Sequence, residues 1–438
     1  MRSFDRNALR RMALVGWLID RHRATQPLRG WRVLFIQHQL ENHLAQARAV
    51  LELGVDARDL HWIDIPYTSS PEIREVLVSL GVPAGNFKNH RYNLTQRYAA
   101  YQRTRVSRWI KSYMDRYGNA APLLVLDDGG YFLEALICFR EHFKRLAVVE
   151  QTTRGINKLS ENIAIQYYCR DVPLVDVATS DPKKNVEPPF IARAVREAAG
   201  ERLKKILGRA HVELDRGKVL VLGYGAIGKE VAREVRERFG LRPEQVFVFD
   251  TDQQKRDAAN GVGYSLWDAK DYSNVFQLVI GCTGTRAFNI WNYVHLAKRS
   301  VLISASSGSA EVAREDFVEL AESCNVDDIQ VRNPETLRRR SVHSDITLQI
   351  VDHVVTIANG GFPINFDGRL DRIPAEDIQI TVALMVAGAI QAVTTPTKGL
   401  VPLDPSTCNT LVDHFQKLRG GQPNEAFVAN AGNSALHH

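Results

Sequence analysis

Cysteine is scarce and scattered. Cys138, Cys169, Cys282, Cys324 and Cys408 are the five in 438 residues, and their spacing matches neither a metal site nor a redox pair. That usage argues against a disulfide framework and fits a reducing compartment, so the expected location is the cytoplasm and no metal is expected. Long hydrophobic runs are also lacking. The best, Val382 to Val393, holds twelve residues and includes Gln391, well short of a membrane span. The basic N-terminus, MRSFDRNALRRMALVGWLIDRHR, lacks a signal-peptide core because Asp20 and Arg21 cut its apolar segment short; it reads as an amphipathic helix. The net charge of +6 is modest and spread along the chain. Arg338-Arg339-Arg340 has no aromatic or groove-binding motif beside it, so it reads as a solvated loop and no nucleic-acid partner is expected.

What remains is an ordinary globular composition, 45% hydrophobic and 24% charged, in a chain long enough for two or three domains. Its most informative stretch is GKVLVLGYGAIGKEVAREVRERFGLRPEQVFVFDTD, Gly217 to Asp252. Val219-Leu220-Val221-Leu222 predicts a buried parallel strand. The turn Gly223-Tyr224-Gly225-Ala226-Ile227-Gly228 then opens a helix with apolar residues at Ile227, Val231 and Val235. In a dinucleotide fold the first glycine makes the tight turn, the second admits the pyrophosphate, and the third lets helix and strand pack closely. A second apolar run, Val246 to Phe249, ends in Asp250, 22 residues beyond Gly228. An acid at that distance can bond the adenosine ribose of NAD, although Lys255 and Arg256 follow closely enough to leave NADP open.

Elsewhere strand-like and helix-like stretches alternate. Arg32 to Gln37 predicts a strand ending at His38, and Glu41 to Leu53 a helix. Further strands are expected at His61–Ile65, Leu123–Leu126, Leu146–Glu150 and Val172–Val177, with a continuous helix over Ile156 to Tyr168. His38 thus stands where ligand-facing groups of open α/β sheets lie, and a packing or capping histidine accounts for it equally well. Asp127-Asp128-Gly129-Gly130 follows a strand directly; one acid is enough to cap the next helix, which leaves the other free. Thr152 and Thr153 form a hydroxyl turn or an N-cap. Lys183 and Glu187, four apart, pair on one helical face either as an acid-base couple or as a surface salt bridge. Val354 to Ala358 with Asn359-Gly360-Gly361 gives a hairpin signal, and Pro374 to Val393 a helix.

Together these pieces resemble one family, S-adenosylhomocysteine hydrolase (adenosylhomocysteinase). The matching segments are Gln37-His38, LDDGG at 126–130, EQTTRG at 150–155, VPLVDVATSDPKKNVE at 172–187, GYGAIGKE, Cys282-Thr283-Gly284 and Ile364-Asn365-Phe366, spanning roughly residues 10 to 395. The resemblance implies that Lys183 and Glu187 act at the sugar hydroxyl that NAD oxidises, Glu187 standing for the family's Asp. It implies that Asp128 and His38 act around C4′ and the leaving group. It also makes Thr152, Thr153, Thr283 and Asn365 further NAD contacts beside Gly223, Gly225, Ala226, Ile227, Gly228 and Asp250. Oxidation at C3′ acidifies the C4′ hydrogen, so a base can remove it and the C5′ substituent can leave. The departures fall on substrate recognition. The family's Leu-His-Met-Thr-Val-Glu-Thr is Gln37 to His43 here, its second EETTTG glutamate is Gln151, its Asn-Ile-Gly-His is Ser304 to Ser307, and its Gly-His-Pro is Arg372-Ile373-Pro374. The family's C-terminal Lys and Tyr have no counterpart.

The expected fold class is α/β, a Rossmann-type NAD-binding domain plus a second α/β substrate domain with a cleft between them. The expected division is 1–189 for the first part of the substrate domain, 190–366 for the NAD domain, 367–420 for the return, and 421–438 as a disordered tail. A nucleoside-like small molecule and a homo-oligomer, dimer or tetramer, are the expected partners. A dehydratase or lyase that stops at the unsaturated sugar, and a silent NAD-binding regulator, remain alternatives.

Overall fold

The structure is a computed structural model that describes residues 10–139, 143–207, 217–308, 311–369, 372–395 and 397–420; the tail expected at 421–438 lies outside them. The chain divides into two compact units. The first comprises residues 1–90, 102–187 and 373–438, and the second residues 91–101 and 188–372. The exchange at 187/188 falls close to the proline pair Pro188-Pro189. The short excursion of 91–101 into the second unit differs from the sequence expectation, which kept that stretch in the first.

The first unit is built on seven strands: β1 (Arg32–Gln37), β2 (Leu60–Asp64), β3 (Phe87–Lys88), β4 (Leu123–Asp127), β5 (Leu146–Glu150), β6 (Pro173–Asp176) and β7 (Gly399–Pro402). They form an all-parallel sheet in the order β7-β6-β5-β4-β1-β2-β3. Runs such as Val33-Leu34-Phe35-Ile36 and Leu123 to Leu126 are buried throughout, as strands covered on both faces must be. Because β1 leads to β2 on one side while β4 leads to β5 on the other, the carboxyl ends of β1 and β4 flank the point where the winding reverses. That is where ligands bind in open α/β sheets.

The helix at Ala375–Thr394 packs on β4, β5 and β6. Gly388 permits the close approach, since a Cβ there would stand 2.8 Å from Val149 and 3.0 Å from Val177. By length and composition this helix could cross a membrane, which the twelve-residue apolar run had not suggested; 78% of its most apolar stretch is nevertheless buried against its own unit. The helix expected over Ile156 to Tyr168 is two, Thr153–Glu161 and Ile163–Cys169. Asn162 breaks it because its side chain caps the second, accepting from the Ala164 and Ile165 N–H groups.

The second unit carries a nine-stranded mixed sheet: β8 (Val219–Leu222), β9 (Val246–Phe249), β10 (Ser265–Leu266), β11 (Phe276–Gly281), β12 (Leu296–Ser304), β13 (Ser323–Val326), β14 (Ile329–Gln330), β15 (Ile346–Ile350) and β16 (His353–Ile357). The parallel part runs β10-β9-β8-β11-β12-β16, the same winding as in the first unit, and β15, β13 and β14 extend it antiparallel. The expected hairpin after Val354 is displaced. Its turn is Val351-Asp352, joining Ile350 to His353, and Asn359-Gly360-Gly361 instead ends β16. The sequence misled because Val351 takes a left-handed φ of 54°, which a β-branched residue rarely adopts.

Candidate active site

In the first unit the carboxyl ends of β1 and β4 bring His38 and Asp128 together. Both are 3% exposed, and His38 Nε2 faces Asp128 Oδ2 at 3.4 Å. His38 Nδ1 lies 2.8 Å from Thr68 Oγ1, which in turn donates to the Ile65 carbonyl. Gln151, just beyond β5, donates from Nε2 to the same Asp128 oxygen at 3.0 Å and accepts at Oε1 from Gln37 Nε2 at 2.8 Å. Burial pushes the Asp128 carboxyl up, but the charges of His38, His43 and Lys183 and the His38 hydrogen bond more than offset it and hold the group below its usual range. His43 is pushed down to about 3, by burial first and then by the His38 charge. Asp128 Oδ1, Gln37 Oε1 and His43 Nδ1 are buried without a protein partner. Buried polar atoms are normally satisfied, so these three are available to hydrogen-bond a polar ligand.

Lys183 and Glu187 form an ion pair across one turn, with side chains only 12% and 9% exposed. Thr381, on the helix Ala375–Thr394, donates to Glu187 Oε1 at 2.8 Å. A surface salt bridge would leave both groups in water; here Glu187 is buried and Lys183 largely shielded, and Lys183 contributes to the field on Asp128. The four residues expected to carry the chemistry, His38, Asp128, Lys183 and Glu187, therefore fall in one electrostatic neighbourhood of one unit.

The acids beside them are structural. Asp127 accepts from the Phe132 N–H at 2.8 Å, and burial raises its carboxyl to about 7. Glu150, paired with Asp127 in register, accepts from the N–H groups of Gly129, Gly130 and Thr152 at 3.2, 3.0 and 2.8 Å, and burial followed by the Asp127 charge raises it well above the usual range. Gly155 must be glycine, because a Cβ would lie 2.1 Å from the Glu150 carboxyl carbon. The Thr152 hydroxyl donates to Glu150 at 2.6 Å and accepts from the Gly155 N–H at 3.1 Å, so it is an N-cap in use, while Thr153 is exposed. Both threonines belong to the first unit, whereas the other expected cofactor residues belong to the second.

In the second unit the glycine turn leaves β8 at the winding reversal. Gly223 has φ 90°, and a Cβ there would lie 2.9 Å from the Cys282 carbonyl; at Gly228 it would lie 1.8 Å from the Gly223 oxygen. The protein itself thus demands these two glycines. Gly225 differs: a Cβ there would meet nothing within 4 Å, so its lack of a side chain answers no protein contact. Ala226 and Ile227 open the helix Ala226–Arg238. Asp250 accepts from the Tyr224 and Asp252 N–H groups at 2.7 and 2.9 Å, tying the turn to β9, and Lys255 Nζ stands 3.7 Å away. Each carboxylate oxygen retains a lone pair for a hydroxyl donor. Asn365 is 5% exposed and its Oδ1 is buried without a partner. Thr283 lies in the turn after β11, and its N–H donates to Glu311.

Among the residues flagged as departures, Arg372 is bound by Asp367 and by Glu201, the latter at 2.8 Å, and Leu40 is a buried residue ahead of the helix Glu41–Glu52. Thr68, Gln37, Thr381 and Glu311 were not foreseen as site residues. Each is remote in sequence from the group it contacts, and only the tertiary fold brings them together. Among the described residues no group of three or more His, Cys, Asp or Glu could hold a metal.

No family model matches the chain. Two proteins described as uncharacterized, from two strains of Mycobacterium tuberculosis, are each 25% identical over 372 residues, covering 83% of this chain and 64% of theirs. The chain therefore spans less than two thirds of the length of the curated relatives it matches. Among solved structures, a dipicolinate synthase chain from Bacillus subtilis covers 89% of this chain and 97% of its own, at 8% identity and a TM-score of 0.34. Its namesake from Bacillus halodurans covers 67% and 87%, at 13% and 0.33. Apo D-lactate dehydrogenase from Escherichia coli covers 52% and 77%, at 15% and 0.30. Scores this low carry no inference; the doubly wound α/β class rests on the strand order itself.

Proposed function

We propose that the protein is an NAD-dependent, adenosylhomocysteinase-like enzyme that oxidises the C3′ hydroxyl of a nucleoside-like substrate, removes the C4′ proton, and eliminates or hydrolyses at C5′. The observation that carries the cofactor half is Gly225, a glycine that no protein contact requires, between two that are required. Space at that point of the turn suits a pyrophosphate at the helix N-terminus. The unpartnered Asn365 Oδ1 suits an amide donor, and Asp250 suits a ribose hydroxyl. When bound, NAD would supply the hydride acceptor. NADP remains compatible with Lys255 beside Asp250.

The chemistry half rests on the resemblance and on the buried cluster. Once its own proton has passed to the paired Glu187, which Thr381 holds, the Lys183 amine is suited to take and return the proton of the hydroxyl being oxidised. Asp128, kept ionised by its surroundings and flanked by His38, is suited to act on the C4′ proton and the C5′ leaving group. The exclusion of water that makes such groups effective follows from their burial.

Adenosylhomocysteine itself is not the expected best substrate, because Leu40, Asn42, Gln151, Ser307 and Arg372 stand where the family reads adenosine or lines its cleft. Each missing polar partner costs ~1–3 kcal/mol.

The test is to denature purified protein and identify released dinucleotide and nucleoside by mass spectrometry, then assay reduction of bound NAD across nucleosides with and without a C5′ thioether. Lys183→Ala should abolish that reduction and keep the dinucleotide. Release of no dinucleotide, or normal turnover in Lys183→Ala, would overturn the reading. If adenosylhomocysteine turned over as well as every other compound, the specificity argument alone would fail.

A further inference from the structure

The second unit contains a buried acid that the proposed chemistry does not use. Glu311 is 1% exposed. Its Oε1 accepts from the N–H groups of Thr283 and Gly284, both at 2.6 Å, and from the Ser306 hydroxyl. Its Oε2 accepts from Thr283 Oγ1 at 2.9 Å. The main chain of the same residue holds the far end of that loop, since the Glu311 carbonyl accepts from the Ala287 and Phe288 N–H groups at 3.2 and 3.1 Å. Gly281 leaves room for the carboxylate; a Cβ there would stand 2.5 Å from Oε2. Burying a carboxylate is unfavourable unless its lone pairs are filled, and here donors converge on both oxygens.

The turn so held is not remote from the glycine turn. A Cβ on Gly223 would meet the Cys282 carbonyl at 2.9 Å and Thr283 Cγ2 at 3.0 Å, so the two loops lie against each other at the winding reversal. The first unit repeats the arrangement. There Glu150 binds the N–H groups of Gly129 and Gly130 in the loop after β4, the counterpart in winding order of β11. In both sheets a buried carboxylate fixes the loop beside the reversal.

We propose that Glu311 is a positioning residue of the dinucleotide site, holding the Thr283–Gly284 turn in the shape against which the cofactor seats. The proposal rests on reading the second unit as a dinucleotide site. It acts through Thr283 and Gly284.

The experiment compares wild type, Glu311→Ala and Glu311→Gln in three measurements: NAD affinity after removal and back-titration, amide exchange at Thr283 and Gly284 without NAD, and the thermal midpoint. Alanine removes the acceptor of two buried N–H groups, so NAD affinity should fall about tenfold or more and the two amides should lose protection. Glutamine keeps an acceptor oxygen and the volume, and should restore affinity to within about threefold of wild type. Unchanged affinity in Glu311→Ala would overturn the proposal. So would equal weakening in both variants that merely follows a lowered thermal midpoint. If wild type binds no dinucleotide while Glu311→Ala still loses amide protection, the dinucleotide reading fails although Glu311 holds the turn.

Discussion

Gln151 donates to the Asp128 oxygen that faces His38, at 3.0 Å. A neutral amide there supports the ionised carboxylate, where a second carboxylate would oppose it. Gln151→Glu should therefore raise the Asp128 pKa and move the acid limb of the pH–rate profile to higher pH. The check is the initial rate of substrate-dependent NAD reduction across pH; an unmoved limb would remove Asp128 from the ionisation that matters.

Asp127 gives a pH signature of the opposite sign in stability. Its carboxyl is raised from an ordinary 3.8 to about 7, by burial first. The folded state therefore holds this proton over a window in which the unfolded state has lost it, and the contribution to stability falls as pH rises from about 4 to about 7. Asp127→Asn keeps an acceptor for the Phe132 N–H and removes the ionisation. The fall in thermal midpoint over that window should be shallower in the variant, as read by melts at stepped pH.

The glycine turn separates folding from binding. Gly225→Ala meets nothing within 4 Å and should leave the thermal midpoint within a degree or two, since an open surface change costs under ~0.5 kcal/mol. It should nevertheless weaken dinucleotide retention. Gly228→Ala places a Cβ 1.8 Å from the Gly223 oxygen and should destabilise the unit itself. Equal behaviour of the two variants would count against a ligand at Gly225.

Thr381 offers a test of the buried pair. Its hydroxyl donates to Glu187 at 2.8 Å, and a hydrogen bond to a charged group is worth about 1.5–3 kcal/mol. Thr381→Val should slow NAD reduction by ~10-fold or more with dinucleotide retention unchanged, and Thr381→Ser should recover most of the rate.

Much of this was legible in the chain because parallel strands advertise themselves. Continuous apolar runs located the central strands, and the residue leaving each run, His38, Asp128 or Gly223, stands at a carboxyl edge by necessity. What could not be read is whatever reaches a site from another element. Thr68 and Gln37 are separated in sequence from the groups they serve, and Glu311 follows β12 yet serves the loop after β11. Local signals also misplaced structure when strain or capping intervened, as at Val351, which turns without glycine, and Asn162, which divides a helix.

Residues 91–101 are fastened to the rest of the second unit by a buried guanidinium. Arg314 donates to the Tyr92 hydroxyl at 2.7 Å, the Gln96 carbonyl at 3.1 Å, the Gly360 carbonyl at 2.8 Å and Glu315 at 2.8 Å. Arg314→Met should destabilise by ~3 kcal/mol or more, measured by denaturant unfolding, because several buried acceptors lose a charged donor together.

The excursion also governs how the molecule can be dissected. The chain passes from one unit to the other at 90/91, 101/102, 187/188 and 372/373, so neither half is a contiguous piece of the gene product. A fragment started at Pro188 to isolate the nucleotide half would leave behind Tyr92 and Gln96, two of the four partners of Arg314, together with Leu94, which packs in that unit's apolar core. Insolubility of such a fragment would be a fault of the cut, and a faithful excision would have to graft the eleven-residue strap back on.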